Sequence, residues 1–102
     1  MRGEPNAQIH AVATVLLVIV CWTLRVTPLE GAVLAVAAGA VWAAEALNTA
    51  LEILADRVTR ETDPHIRDAK DVAAAAALLT AIAATVAAAC ILLPKIRAAL
   101  YP

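Results

Sequence analysis

Residues 72–93, "VAAAAALLTAIAATVAAACILL", form a run of twenty-two residues without a charged side chain. As an α-helix this run would be about 33 Å long, which matches the hydrocarbon core of a bilayer. The rest of the chain is similar in character, because 63% of its 102 residues are hydrophobic, 17% are charged and the mean hydropathy is +0.80. A chain this short cannot bury so much aliphatic surface in one water-soluble core. The composition therefore predicts a membrane protein.

Two further apolar segments precede this run. Flanking residues and Trp22 at the membrane boundary would extend the first, residues 11–24, to a span of about residues 9–26. The second begins at "TPLE", whose order of Thr27, Pro28 and Glu30 is typical of a helix start, and it should run over about residues 29–57. A third span should run over about residues 70–93 and end at Pro94. We therefore predict an all-α integral membrane protein with three transmembrane helices, in a single domain of residues 1–102.

The connection between the second and third spans is polar and rich in basic residues. Short basic loops favour the cytoplasmic side of a membrane, so both the loop and the N-terminus are predicted to face the cytosol. The net charge of −1 gives no argument for nucleic-acid binding. Cys21 and Cys90 lie inside apolar runs without the spacing of a metal site, and a bridge between them is left open.

Polar side chains interrupt the second span within "VWAAEALNTALEILADRV", residues 41–58. At 100° per residue, four of them share a stripe about 80° wide and about 16 Å long. These four residues are Glu45, Asn48, Glu52 and Asp56. A carboxylate at membrane depth costs about 2.5–3.5 kcal/mol, and such residues usually mark a functional site. Asp56 could instead be solvated among the lipid headgroups, whereas Glu45 has apolar neighbours on both sides.

The stripe has the chemistry of a cation or proton site. Two carboxylates with an amide between them suit a hard divalent cation such as Mg²⁺. Lys70 and Asp71 open the third span at the same face, where a lysine could offset phosphate charge or simply extend into the headgroup zone. Neither a P-loop nor a dinucleotide-binding motif is present in the sequence. The residues alone therefore indicate an intramembrane carboxylate site linked to a metal or to protons.

Two sequence stretches resemble the small prokaryotic diacylglycerol kinase family, which includes the undecaprenol kinases. They are "AEALNTALEILAD", residues 44–56, and "AKDVAAAAALLTAI", residues 69–82, which match the family pattern E-x-x-N-[ST]-A-[IL]-E-x-x-x-D followed by A-K-D. "EPNAQIH", residues 4–10, and "LLPKI", residues 92–96, are similar to the undecaprenol-kinase branch. The resemblance extends over nearly the whole chain.

The resemblance implies a homotrimeric lipid kinase of the bacterial plasma membrane, with active sites between subunits. Such an enzyme would use ATP and Mg²⁺ to phosphorylate undecaprenol or diacylglycerol at the cytosolic face. Carried over by position, Glu45 would be the catalytic base, and Glu4 and Glu52 the magnesium ligands. Four further positions would hold or orient the nucleotide: Asn48, Asp56, Lys70 and Asp71.

One departure from the family pattern lies at the N-terminus. Family members usually carry an amphipathic surface helix before the position of Glu4, whereas only Met1, Arg2 and Gly3 precede it here, so we expect this helix to be missing. Two other functions fit the composition. A small proton-coupled transporter also needs a membrane glutamate, and a non-catalytic membrane assembly subunit would need none of the site chemistry.

Overall fold

Three helices make up the computed structural model, which describes residues 5–59 and 61–102 and the side chains from residue 8 onward, apart from residue 60. They are α1 (Pro5–Leu24), α2 (Pro28–Val58) and α3 (Pro64–Leu100). By length and composition α2 and α3 can each cross a membrane, while the apolar part of α1, Gln8–Leu24, is shorter. The predicted all-α class and the order of the three apolar segments are confirmed.

Helix α2 begins at the predicted capping box. The backbone N–H of Glu30 donates to Thr27 Oγ1 (3.2 Å), and the backbone N–H of Thr27 donates to Glu30 Oε1 (2.9 Å). Pro28 occupies the first turn, where its missing N–H costs nothing. Before it, Arg25 adopts a left-handed backbone conformation (φ 55°), which turns the chain sharply from α1 into α2.

Helix α3 is longer at both ends than the sequence analysis predicts. It begins earlier in the chain because Asp63 caps it, accepting hydrogen bonds from the backbone N–H groups of His65 (2.9 Å) and Ile66 (3.2 Å). Pro64 occupies the first turn. At the other end the expectation of a stop at Pro94 is wrong, since Pro94 lies inside the helix. The following turn is held against α2 by Lys95, whose Nζ lies 2.9 Å from Glu30 Oε1.

Helices α2 and α3 form an antiparallel hairpin, and most contacts between helices belong to this pair. The loop end is bridged by Lys70 and Asp56 (2.7 Å) and the far end by Lys95 and Glu30. The first helix, α1, packs only lightly against both. Cys21 and Cys90 are free thiols.

Little of this chain is buried by its own packing. Among the described residues the buried side chains are Leu34, Ala55 and Ala77, with 3%, 6% and 4% of their surface exposed. Large apolar side chains such as Trp22 and Leu79 are exposed on all three helices. A surface of this kind matches a lipid environment or the contact with further copies, and not water.

The cap of α3 gives a stability prediction. Replacing Asp63 with Ala removes the acceptor for two backbone N–H groups and is expected to lower the free energy of unfolding by about 1 kcal/mol. Asp63→Asn keeps an acceptor and should be nearly neutral. Unfolding in mixed micelles by added dodecyl sulfate, followed by circular dichroism, measures both.

Glu61→Ala is the matched control. Glu61 lies in the same loop, but its hydrogen bond to Thr59 Oγ1 (3.1 Å) comes from the backbone N–H, which the substitution keeps. If Glu61→Ala and Asp63→Ala destabilise the protein equally, the cap does not determine where α3 begins.

Candidate active site

The four polar residues of the predicted stripe lie on an uninterrupted α2, which keeps them along one side of that helix. Their exposure changes along the axis. Glu45 and Asn48 are half-buried, whereas Glu52 and Asp56, closer to the α2–α3 loop, are exposed. The stripe therefore runs from a partly shielded end to an exposed end.

The loop end of the stripe carries a lysine opposite two carboxylates. Lys70, on the second turn of α3, donates from Nζ to Asp56 Oδ1 at 2.7 Å. Glu52 also lies close enough to the Lys70 ammonium for a favourable Coulomb interaction, and Asp56 makes at least one further interaction. Asp71 follows Lys70 directly and is exposed. This end of the site can offer a positive charge to a phosphate group and carboxylate oxygens to a cation bound to that phosphate.

Asn48 lies between the two ends and is unusual in its hydrogen bonding. Its Oδ1 is buried and has no hydrogen-bond partner among the described residues. A buried acceptor without a partner costs about 1–3 kcal/mol, so such groups are rare unless a ligand or ion completes them. The Asn48 carbonyl is therefore a polar group that the packing of the described residues leaves unsatisfied.

The shielded end of the stripe contacts α1. His10 Nε2 lies 4.0 Å from Glu45 Oε2, and the imidazole packs against the Trp42 ring at a centroid distance of 5.6 Å. Trp42 Nε1 donates to Thr14 Oγ1 (2.9 Å). The sequence analysis did not place His10 at the site, although His10 closes the "EPNAQIH" motif. That motif was the signal that could have identified it.

The oxygen ligands fit a magnesium ion in one of its usual binding modes. Among the described residues no group of three or more His, Cys, Asp and Glu side chains gathers as a complete metal site, and the predicted ligand Glu4 lies outside those residues. Mg²⁺ in kinases is commonly held by one or two carboxylates, with phosphate oxygens and water completing its shell. Glu52 and the unpartnered Asn48 oxygen are the kinds of ligand that this mode requires.

The predicted residues therefore fall into two groups at different positions along α2. Glu52, Asp56 and Lys70 contact or face one another near the loop, and Glu45 lies farther along α2 against α1. Asn48 lies between them on the same helix. An arrangement of this kind can receive a charged group at one end and an apolar molecule with a single polar group at the other.

Comparison with known proteins gives one family and two relatives. The sequence model of the family described as prokaryotic diacylglycerol kinase matches residues 1–92. The undecaprenol kinase of Bacillus subtilis is 32% identical over 95 residues, which cover 93% of this chain and 77% of that protein. The diacylglycerol kinase of Synechocystis sp. is 37% identical over 94 residues, which cover 91% of this chain and 54% of that protein.

No solved structure matches the chain. The family match, however, extends over most of the sequence and includes the whole α2 stripe and the start of α3. The chain therefore belongs to the prokaryotic diacylglycerol kinase family of membrane-bound lipid kinases.

Proposed function

We propose that this protein transfers the γ-phosphate of ATP, in the presence of Mg²⁺, to the hydroxyl group of undecaprenol or diacylglycerol. The reaction takes place at the cytosolic face of the bacterial plasma membrane. The observation that carries this proposal is the graded stripe on α2, with Lys70 facing its exposed end. Because the chain belongs to a kinase family, we favour this function over that of a proton-coupled transporter or a non-catalytic membrane subunit.

The exposed end of the stripe binds the nucleotide. Phosphoryl transfer requires mainly alignment and positive charge around the transferred group. The Lys70 ammonium supplies such a charge, and Asp56 and Asp71 orient the nucleotide beside it. Glu52 and Glu4 would hold the magnesium ion, and Asn48 would help to hold the nucleotide phosphates. A bound magnesium ion would neutralise part of the phosphate charge at this end of the site.

Glu45 acts at the shielded end as the general base. The lipid hydroxyl enters from the bilayer, so its base has to lie deeper than the groups that hold the nucleotide. As the hydroxyl oxygen attacks the γ-phosphorus, its proton moves to the Glu45 carboxylate and the new O–P bond forms. The bond between the γ-phosphorus and its bridging oxygen breaks, and ADP leaves.

The proposed assembly is a homotrimer of subunits with three membrane-crossing helices each, with active sites between subunits. Two features support it. Among the residues whose side chains are described, very few are buried within the chain, so much of its apolar surface is available to other copies. The stripe is also partly exposed along its whole length, which leaves room for a neighbouring subunit to complete the site.

The two carboxylates give the first activity prediction. Glu45→Gln and Glu52→Gln are each expected to lower kcat on the order of 100-fold or more, because one removes the base and the other a magnesium ligand. Activity is measured as transfer of labelled phosphate from ATP to an extractable lipid in mixed micelles. Glu61→Gln, in the α2–α3 loop, is the matched control. Full activity of either stripe variant would refute its assigned role.

Lys70 gives a second prediction with an internal control. Lys70→Ala should reduce kcat/KM for ATP on the order of 100-fold, because a positive charge next to the phosphates is lost. Lys70→Arg keeps the positive charge and should therefore retain part of the kcat/KM for ATP. Lys95 forms a similar ion pair with Glu30 at the other end of the hairpin, so Lys95→Ala should retain activity. Equal losses in Lys70→Ala and Lys95→Ala would mean that Lys70 serves only to join the helices.

The lipid substrate is the subject of a third prediction. The "EPNAQIH" and "LLPKI" stretches resemble the undecaprenol-kinase branch, and the Bacillus relative of that name aligns over a larger share of its length. We therefore expect a higher kcat/KM for undecaprenol than for diacylglycerol. Both lipids are compared at equal mole fraction in the same micelles. Preference for diacylglycerol would contradict this assignment.

A further inference from the structure

His10 on α1 faces the proposed base directly. Its Nε2 lies 4.0 Å from Glu45 Oε2, and the two side chains retain only 26% and 29% of their exposed surface. This distance is longer than that of a hydrogen bond, and one would form if the two atoms moved about 1 Å closer together. Because both groups are partly shielded from water, their interaction is screened less than that of an exposed pair.

The imidazole packs against Trp42, and Trp42 is itself hydrogen-bonded to α1. Trp42, three residues before Glu45 on α2, packs against the His10 ring with the two planes tilted by 53°. The Trp42 indole N–H donates to Thr14 Oγ1 (2.9 Å), and the Thr14 hydroxyl donates to the backbone carbonyl of His10 (2.7 Å). These contacts connect one face of α1 to the face of α2 that carries Glu45.

We propose that His10 is a positioning residue for Glu45: its Nε2–H group binds one carboxylate oxygen and leaves the other oxygen to receive the lipid hydroxyl. This inference rests on the proposed function, in which Glu45 is the general base. During transfer the hydroxyl proton moves to the free oxygen of Glu45, while the proton of His10 stays on Nε2. The imidazole thus fixes the direction of the base without exchanging a proton with the substrate.

Two substitutions separate positioning from packing. His10→Phe keeps a ring against Trp42 but removes the N–H donor, and kcat is expected to fall on the order of 10- to 100-fold, with little change in KM for ATP. His10→Gln loses the ring but keeps an N–H donor at a similar reach, and should retain most of kcat. His65→Phe is the matched control, because His65 is exposed at the start of α3.

A third variant covers the case in which the phenyl ring disturbs folding. The side chain of His10→Asn is polar but too short to reach Glu45, so it should lose as much kcat as His10→Phe. Circular dichroism checks that the variants have equal helix content. Full kcat in either His10→Phe or His10→Asn would overturn the proposal, as would an equal loss in His10→Phe and His10→Gln.

A double-substitution experiment tests whether His10 acts through Glu45. In a Glu45→Asp background the carboxylate is withdrawn by one methylene, so adding His10→Phe should cost little further activity. The same fold-loss in both backgrounds would overturn the proposal. Full activity of Glu45→Gln would instead refute the proposed base itself, whereas an inactive Glu45→Gln with a fully active His10→Phe refutes only the role of His10.

Discussion

The register of α3 against α2 is the constraint on which the site depends. The buried contacts Ala55 and Ala77 are small, and an alanine-rich surface packs almost equally well after a shift of one turn. The ion pairs of Lys70 and Lys95 remove this freedom, because they lie at opposite ends of the hairpin and a shift would break both. In this register the Lys70 ammonium pairs with Asp56 and also lies near the Glu52 carboxylate.

A helix that crosses the membrane boundary solves a problem of access. ATP arrives from water and the lipid alcohol from the bilayer, so in the proposed reaction the two must meet at the interface. One face of α2 offers polar groups at successive positions along the helix axis, about 1.5 Å per residue, from exposed Asp56 to half-buried Glu45. No phosphate-binding loop is then required, because the helix itself fixes the separation between the proposed nucleotide ligands and the proposed base.

Sequence reasoning succeeded where the information was local. The capping box at Thr27 and Glu30 and the face shared by Glu45, Asn48 and Glu52 both follow from spacing along one helix. It failed at the ends of α3. The third span is predicted to begin near residue 70, although an Asp directly before a proline, as in Asp63 and Pro64, is a common helix start. Beyond Pro94 the helix is held against α2 by the ion pair of Lys95 with Glu30. A contact between residues so far apart in the chain cannot be predicted from a local sequence pattern.

The contact between His10 and Glu45 was missed for the same reason, and it has a wider consequence. Helix α1 contributes none of the buried side chains in the described part of the chain, so apolar packing against the other two helices holds it only weakly. The polar contacts of Thr14 and Trp42 are then a substantial part of what fixes α1 against α2. Since the same contacts orient His10 toward Glu45, a displacement of α1 would also change the surroundings of the proposed base. The attachment of the first helix and the orientation of the base thus depend on one set of interactions.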